Sequence, residues 1–383
     1  MIRYCRRCIM PETKPDILFD DDGVCSACRH FADRADVAWD QRLLELDSIL
    51  DRYRARDGGY DCIVPVSGGK DSTFQTIRVL ELGLNPLCVT AATCKLSDIG
   101  RRNLENLKRL GVDSIEVTPN PSVRRKINRL ALKQVGDISW PEHVAIFTVP
   151  VRLAVQMRIP LIVWGENSQN EYGGPAGAAK DNTLTRRWLE EFGGLLGLRV
   201  SDLVGQDGIT ARDLNQFTYP SDDELAAVGV TGIFLGYYLP WDGWSNQVIA
   251  QAHGFETYPK FVEGSLVNYE NLDNVFHGIH DYFKFIKYGF GRATDLACMA
   301  IRRDRLSRAD AIELTRIHDG RFPSSYLGYS LERDILPELD LTLDEFVSTC
   351  DRFTNNRLFV TDRHGELVRD EGGNLTKINY DNE

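Results

Sequence analysis

Hydrophobic positions fall on a helical period between residues 38 and 56. Trp39, Leu43, Leu46, Ile49, Leu50 and Tyr53 share one face of "AWDQRLLELDSILDRYRAR", and Gly58-Gly59 stops it. The pattern then changes. "YDCIVPVS" is a brief, β-branched apolar run, which predicts a buried strand. "STFQTIRVLELG" returns to the helical period and ends at Gly83. "NPLCVTAAT" predicts a second strand, and "RRNLENLKRLG" sets Leu104, Leu107 and Leu110 in helical register before Gly111. "SIEVTP" predicts a third strand, residues 122–135 and 142–158 two helices, and "IPLIVWG" a fourth strand. This alternation predicts an α/β fold, a parallel sheet flanked by helices on both faces. In such sheets ligands bind beyond the C-terminal ends of strands. Residues 67–72, Glu166 and Asn167 fall there.

Residues 168–245 break the rhythm. They are rich in glycine, polar residues and aromatics, and read as an elaboration of the domain. A helix returns at 269–288. Ser307 with Asp310, and Thr342 with Glu345, are spaced as capping pairs before apolar runs, so residues 301–383 read as a mainly helical region. The polar end, "DRHGELVRDEGGNLTKINYDNE", reads as partly disordered or a small hairpin. The expected organisation is an N-terminal segment and helix at 1–57, the α/β domain at 58–300, and a C-terminal helical region at 301–383.

Composition narrows the classes. Of 383 residues, 43% are hydrophobic, ample for a buried core. A net charge of −11 argues against a broad nucleic-acid footprint. No apolar signal segment or spanning run is visible, so the expectation is a cytoplasmic protein without a membrane partner. Nine cysteines in such a chain read as metal ligands plus buried thiols.

Four of them have metal-ligand spacing. Cys5-x2-Cys8 is followed after sixteen residues by Cys25-x2-Cys28. This spacing reads as a tetrahedral zinc site. Four thiolates leave no position for water, so the zinc is expected to be structural and to tie the N-terminus down. The bland alternative is one redox pair and one buried pair.

The first strand runs into "SGGKDST". It is not the common G-x-x-x-x-G-K-[ST] loop, because Asp71 separates Lys70 from Ser72. Still, Gly68 and Gly69 allow close backbone approach, and the helix start points N–H groups at an anion. Ser67, Ser72 and Thr73 add hydroxyls, and Lys70 adds charge.

Ser67-Gly68-Gly69-Lys70-Asp71-Ser72 resembles the PP-loop of the N-type ATP pyrophosphatases, whose fold is adenine nucleotide alpha hydrolase-like. The resemblance implies that ATP is cleaved between its α and β phosphates and that this loop cradles the pyrophosphate. By the same analogy Ala91, at the end of the second strand, lies by the adenine. A wider resemblance joins "CRRCIMPETKPDILFDDDGVCSACR", the loop, "WGEN", "HGF" and "KYGFGRATD". Together they resemble the N-acetyl sugar amidotransferases of bacterial lipopolysaccharide and nonulosonic-acid biosynthesis. That resemblance implies adenylation of an acetamido oxygen, attack by ammonia, and an acetamidino product, with ATP, Mg2+ and structural zinc as cofactors.

Candidate roles follow, the first by analogy with a late basic residue of the superfamily and the others read from the residues themselves. Lys287 and Arg292 reach back to the phosphates, with Asp295 orienting Arg292. Glu166 and Asn167 bind magnesium, the acceptor or ammonia. Asp71 binds magnesium or caps the loop. Trp241 and Trp244 of "PWDGW" stack on a nucleotide sugar. Lys284 and Lys260 are weaker candidates. His253, His277 and His280 read as packing or capping groups. The remaining cysteines show no glutaminase signature, so ammonia is expected from a partner glutaminase and a channelling barrel similar to imidazole glycerol phosphate synthase. Two rivals stand beside this reading: a tRNA thiolase of the same superfamily, and a non-catalytic nucleotide-binding module.

Overall fold

The computed structural model describes residues 2–166 and 195–378. Asn167 and the aromatic-rich stretch up to residue 194 lie outside the described residues. The chain begins with α1 (Ser26–Asp33) and α2 (Trp39–Tyr53). It continues through β1 (Cys62–Pro65), α3 (Lys70–Glu81), β2 (Pro86–Ala91), α4 (Asp98–Lys108) and β3 (Asp113–Val117). Then come α5 (Pro121–Val135), α6 (Trp140–Met157) and β4 (Leu161–Trp164). These follow the predicted alternation. A fifth strand does not: after α7 (Asp222–Val228), β5 (Thr231–Phe234) lies inside the stretch read as an elaboration. "TGIF" is too short to show a period. It is extended because all four residues pair with β4, from Leu161↔Thr231 to Trp164↔Phe234.

The strands form one parallel sheet in the order β3-β2-β1-β4-β5. The chain builds outward from β1 on one side, then crosses back to lay β4 on the other. The β1–β4 junction is thus the point where strand order reverses. Alternating side chains feed two cores. Ile63, Leu87, Val89 and Ile162 pack with α5 and α6. Cys62, Val64, Cys88 and Val163 pack on the opposite face with Leu46, Leu50 and Phe74.

Beyond β5 come α8 (Leu235–Tyr238), α9 (Gly243–Ala252), α10 (His277–Tyr288), α11 (Arg292–Arg302) and α12 (Arg308–His318). A short hairpin of β6 (Ser325–Tyr326) and β7 (Tyr329–Ser330) precedes α13 (Leu343–Phe353). The apolar pattern starts a helix at 269, but α10 starts at His277. The intervening backbone is paired elsewhere: Val275 donates to the Lys95 carbonyl (3.0 Å), and Asn274 bridges Leu96. Ser307 caps α12, and Thr342 and Glu345 make a reciprocal capping box on α13, as their spacing predicts. The polar end folds into antiparallel bridges, Phe359↔Lys377, Thr361↔Leu367 and Arg369↔Leu375.

A third core unites α10 with Leu336, Leu339, Phe346 and Phe359 and reaches back to Leu132 and Ile138 beside α5. It therefore crosses residue 300. Phe283 meets Phe346 edge-on at 6.2 Å, and Phe285 meets Phe359 at 5.3 Å.

Candidate functional site

β1 leads straight into the glycine loop at the strand-order reversal. Its pairings with Val89 (from Pro65) and Ile162 (from Ile63) set the register. Counted forward, Ser67 comes level with Ala91 on one side and Glu166 on the other. Arg124 holds the next residue of that rim by donating to the Ala92 carbonyl (2.9 Å), and it is itself buried against Glu142 at 2.7 Å.

The loop's shape depends on glycine. Gly68 has φ +80°, and a Cβ there would lie 2.9 Å from Leu104. A side chain would be both strained and in collision. Gly69 is the N-cap of α3 and offers no side-chain cap. Ser72 Oγ and Thr73 Oγ1 donate to the Gly69 carbonyl at 3.1 and 2.9 Å, and Gly69 N–H donates to Ser67 Oγ at 3.3 Å. The Ser72 and Thr73 hydroxyls therefore brace the loop. Among the described residues, no hydrogen bond forms to the N–H groups of Lys70, Asp71 or Ser72 from outside the helix. These amides and the positive end of the α3 dipole are the groups that would face an anion.

Lys70 does not point into that site. It is 5% exposed, and its Nζ lies 2.5 Å from Asp71 Oδ2 and 2.6 Å from Glu270 Oε1. Burial disfavours its charge, but the two carboxylates outweigh burial and hold its pKa well above the ordinary lysine value. Asp71 Oδ1 accepts from Asn246 Nδ2 of α9 at 2.8 Å. Lys70 is thus a clamp between the loop and the segment before α10. Glu270 and Asn246 carry no local sequence signal. They join the loop only because α9 packs on α3.

"PWDGW" also splits in two. Trp241 is 3% exposed and meets Phe74 edge-on at 5.3 Å, within the core behind α3. Trp244 is 53% exposed, with Arg305 over its ring at 5.0 Å. Between them Asp242 caps α9 through Ser245 N–H (3.2 Å) and pairs with Arg303 (2.9 Å) and Arg305 (2.7 Å). Burial alone would raise the Asp242 carboxyl. The bonds from Arg305 and Ser245 and the charge of Arg303 bring it down to about 2.

The late basic residues sit in the C-terminal layer. Lys287 Nζ donates to the Val135 carbonyl at 3.1 Å, and burial lowers its pKa. Arg292 pairs with Asp281 at 3.0 Å. Asp295, expected to orient Arg292, instead pairs with Lys284. Lys260 is exposed, and His253 sits at the C-cap of α9 with Nδ1 2.9 Å from the Ile249 carbonyl. The α11 start in "GFGR" is already filled: Asp319 accepts from Gly291 N–H (2.9 Å), Thr294 N–H (3.4 Å) and Thr294 Oγ1 (2.5 Å). Beside it lies a cavity of about 270 Å³ lined by Asp281, Tyr282, Arg292, Asp319, Arg321 and Tyr326 among others. Among the described residues, the Tyr282 hydroxyl is buried without a hydrogen-bond partner.

The four cysteines converge as their spacing predicts. All are fully buried, and their sulfurs lie within 4.8 Å of one another. Cys5–Cys28 and Cys8–Cys25 are 3.9 and 3.7 Å apart. Tetrahedral zinc with Zn–S near 2.3 Å needs sulfurs about 3.8 Å apart. Amides of Cys8 and Cys25 point at Cys5 Sγ (3.4 and 3.2 Å), which suits a thiolate. The residues fit a zinc ion. The knuckle packs on Phe290, Ala297, Cys298 and Ala311, so it anchors to α11 and α12. Buried Arg302 lies nearby and offsets the negative charge of four thiolates on one zinc.

Residues 255–381 match the family described as LPS biosynthesis protein WbpG-like, C-terminal domain. The matched stretch is the C-terminal third of the chain. The cavity beside α11 lies wholly within the matched region. The match supports involvement in lipopolysaccharide biosynthesis. No curated protein matches the chain. No described helix is long and apolar enough to cross a membrane.

Proposed function

We propose that this chain is an ATP-dependent, AMP-forming amidotransferase of lipopolysaccharide O-antigen biosynthesis, with an adenine nucleotide alpha hydrolase-like fold. Its acceptor is the N-acetyl group of a nucleotide sugar. The observation that carries the reading is the open first turn of α3 behind Ser67-Gly68-Gly69, level with Ala91 and Glu166 at the strand-order reversal. An amide-lined helix start suits a pyrophosphate leaving group. The WbpG-like match supports the pathway.

In this reaction the acetamido oxygen attacks the α-phosphorus and pyrophosphate departs. Ammonia adds to the activated carbon. AMP then leaves with the former carbonyl oxygen, a proton is lost, and the acetamidino group remains. Water must be excluded, because its attack restores the amide. Asp71 and Glu166 are the carboxylates nearest in sequence and register to hold Mg2+. Asp71 keeps lone pairs for this after accepting from Lys70 and Asn246. Exposed Trp244 is the aromatic face for the sugar. Ammonia comes from a partner glutaminase through a channelling barrel, and the reaction runs in the cytoplasm.

The test incubates the chain with Mg-ATP, a UDP-diacetamido sugar and ammonium chloride. AMP, pyrophosphate and amidine form in equal amounts if the proposal holds. Formation of ADP, or AMP without amidine under any ammonium concentration, sinks it.

A further inference from the structure

We infer that Asp137, His143 and His280 form a second metal site, separate from the cysteine knuckle, which takes a divalent ion of the zinc class. Asp137 lies just after α5, His143 is on α6, and His280 is on α10. The three come from two parts of the molecule, the sheet layer and the WbpG-like region. Asp137 is 5% exposed at its side chain, and the imidazoles are 27% and 23% exposed.

The geometry fits ligation. His280 Nδ1 lies 2.9 Å from Asp137 Oδ1, and His143 Nδ1 lies 3.2 Å from Asp137 Oδ2. One donor atom from each residue falls within 4.8 Å of the others. Zinc with ligands near 2.05 Å in tetrahedral array needs donors about 3.3 Å apart. The two carboxylate separations, one to each oxygen, are of that order. Among the described residues, His143 Nδ1 is also buried without a well-aligned hydrogen bond, despite its nearness to Asp137. Its nitrogen serves a shared point among the three residues better than it serves the carboxylate.

The surroundings position these groups. Ser139 N–H donates to Asp137 Oδ1 at 2.9 Å and fixes the carboxylate. The His143 and His280 rings meet edge to face, at 80° with centroids 5.3 Å apart, so the two imidazoles are packed side by side at Asp137. Two nitrogens and one oxygen are a borderline set that suits zinc or a neighbouring first-row ion. Three protein ligands leave a fourth position open, unlike the closed cysteine site. His277 packs on His280 at 5.3 Å and approaches Arg292 at 3.4 Å, which connects this site to the wall of the α11 cavity. The bland alternative is a carboxylate accepting from two imidazoles, with a proton in place of the ion.

The two differ in metal stoichiometry. The full chain is loaded with Zn2+, desalted and analysed for metal, then rebuilt with Co2+ and titrated optically. The inference expects two zinc ions per chain. Asp137→Asn and His280→Ala each retain one, and Cys25→Ser loses the other. In the cobalt titration of the unmutated chain, one equivalent brings thiolate charge-transfer absorption. The other brings only weak visible bands. One ion per chain in the unmutated protein overturns the site, as does a second equivalent with thiolate absorption. The unmutated chain thus decides the matter even if a variant fails to fold.

Discussion

Two helices begin after glycine, α3 at Gly69 and α11 at Gly291, and "SGGKD" and "GFGRA" look like two versions of one anion site. Tertiary structure makes them opposites. The first amides of α3 donate to no carboxylate among the described residues, and the nearby cation, Lys70, is held between Asp71 and Glu270. Amides at the start of α11 donate to half-buried Asp319, and its cation, Arg292, is paired with Asp281. A helix start binds an external anion only when the protein has not supplied one internally. The first glycine turn is therefore the candidate anion site and the second a structural joint beside a cavity.

The largest effect expected from breaking this contrast comes from Gly68→Ala. Its Cβ meets Leu104 at positive φ, which costs about 1–3 kcal/mol of local strain. AMP formation should fall by at least about a hundredfold, the scale of losing one oriented donor, while the cysteine-bound metal stays in place. Metal analysis with a pyrophosphate assay checks both halves. Ser67→Ala and Asp71→Ala should lower pyrophosphate release in the same way.

Lys70→Met comes next. It leaves the partly exposed Asp71 and Glu270 side by side without their shared cation, at a cost of about 1–3 kcal/mol. Denaturant unfolding measures this. If Lys70→Met abolishes Mg-ATP binding yet leaves stability unchanged, Lys70 is a ligand-facing residue and the clamp is wrong.

Asp319→Ala tests the other helix. Removing this half-buried cap should cost about 1–2 kcal/mol. It should also convert α11 into an anion site, seen as a rise in unfolding temperature with sulfate beyond that of the unmutated chain. Equal sulfate responses would erase the contrast.

Asp242 supplies a pH-dependent test of the joint between α9 and the arginines after α11. Its carboxyl sits at about 2 against an ordinary 3.8. A depressed folded pKa contributes stability that is complete above about pH 4. It is lost as pH falls towards 2. Asp242→Asn should therefore lower stability at neutral pH, and the gap should close in acid. A gap that widens below pH 4 would reverse the assignment.

The smallest expected effect on stability is that of Trp244→Ala, within about 0.5 kcal/mol because the ring is exposed. Its effect should appear as a raised KM for the sugar acceptor with KM for ATP unchanged. Trp241→Ala should do the reverse, destabilising the fold by about 3–5 kcal/mol as a core tryptophan.

The sequence by itself determined the helix–strand alternation, the glycine turn, the cysteine knuckle and the caps at Ser307 and Thr342. Each is encoded over a short span: a period of two or 3.6, a C-x2-C wrap, a three-residue reach from cap to amide. It also determined that residues 67–72 and Glu166 emerge at the same sheet edge, because parallel strands share a direction. Tertiary structure alone decided what meets those groups. β5 is a strand because β4 offers it an edge. Glu270 and Asn246 reach the loop from residues far along the chain. Trp241 and Trp244, three residues apart, go to core and solvent because α9 starts between them. Asp319 closes α11, and His280 meets Asp137 and His143, only once α10 to α12 dock. Pairings between distant residues leave no period or spacing to read, since they depend on which faces become buried together.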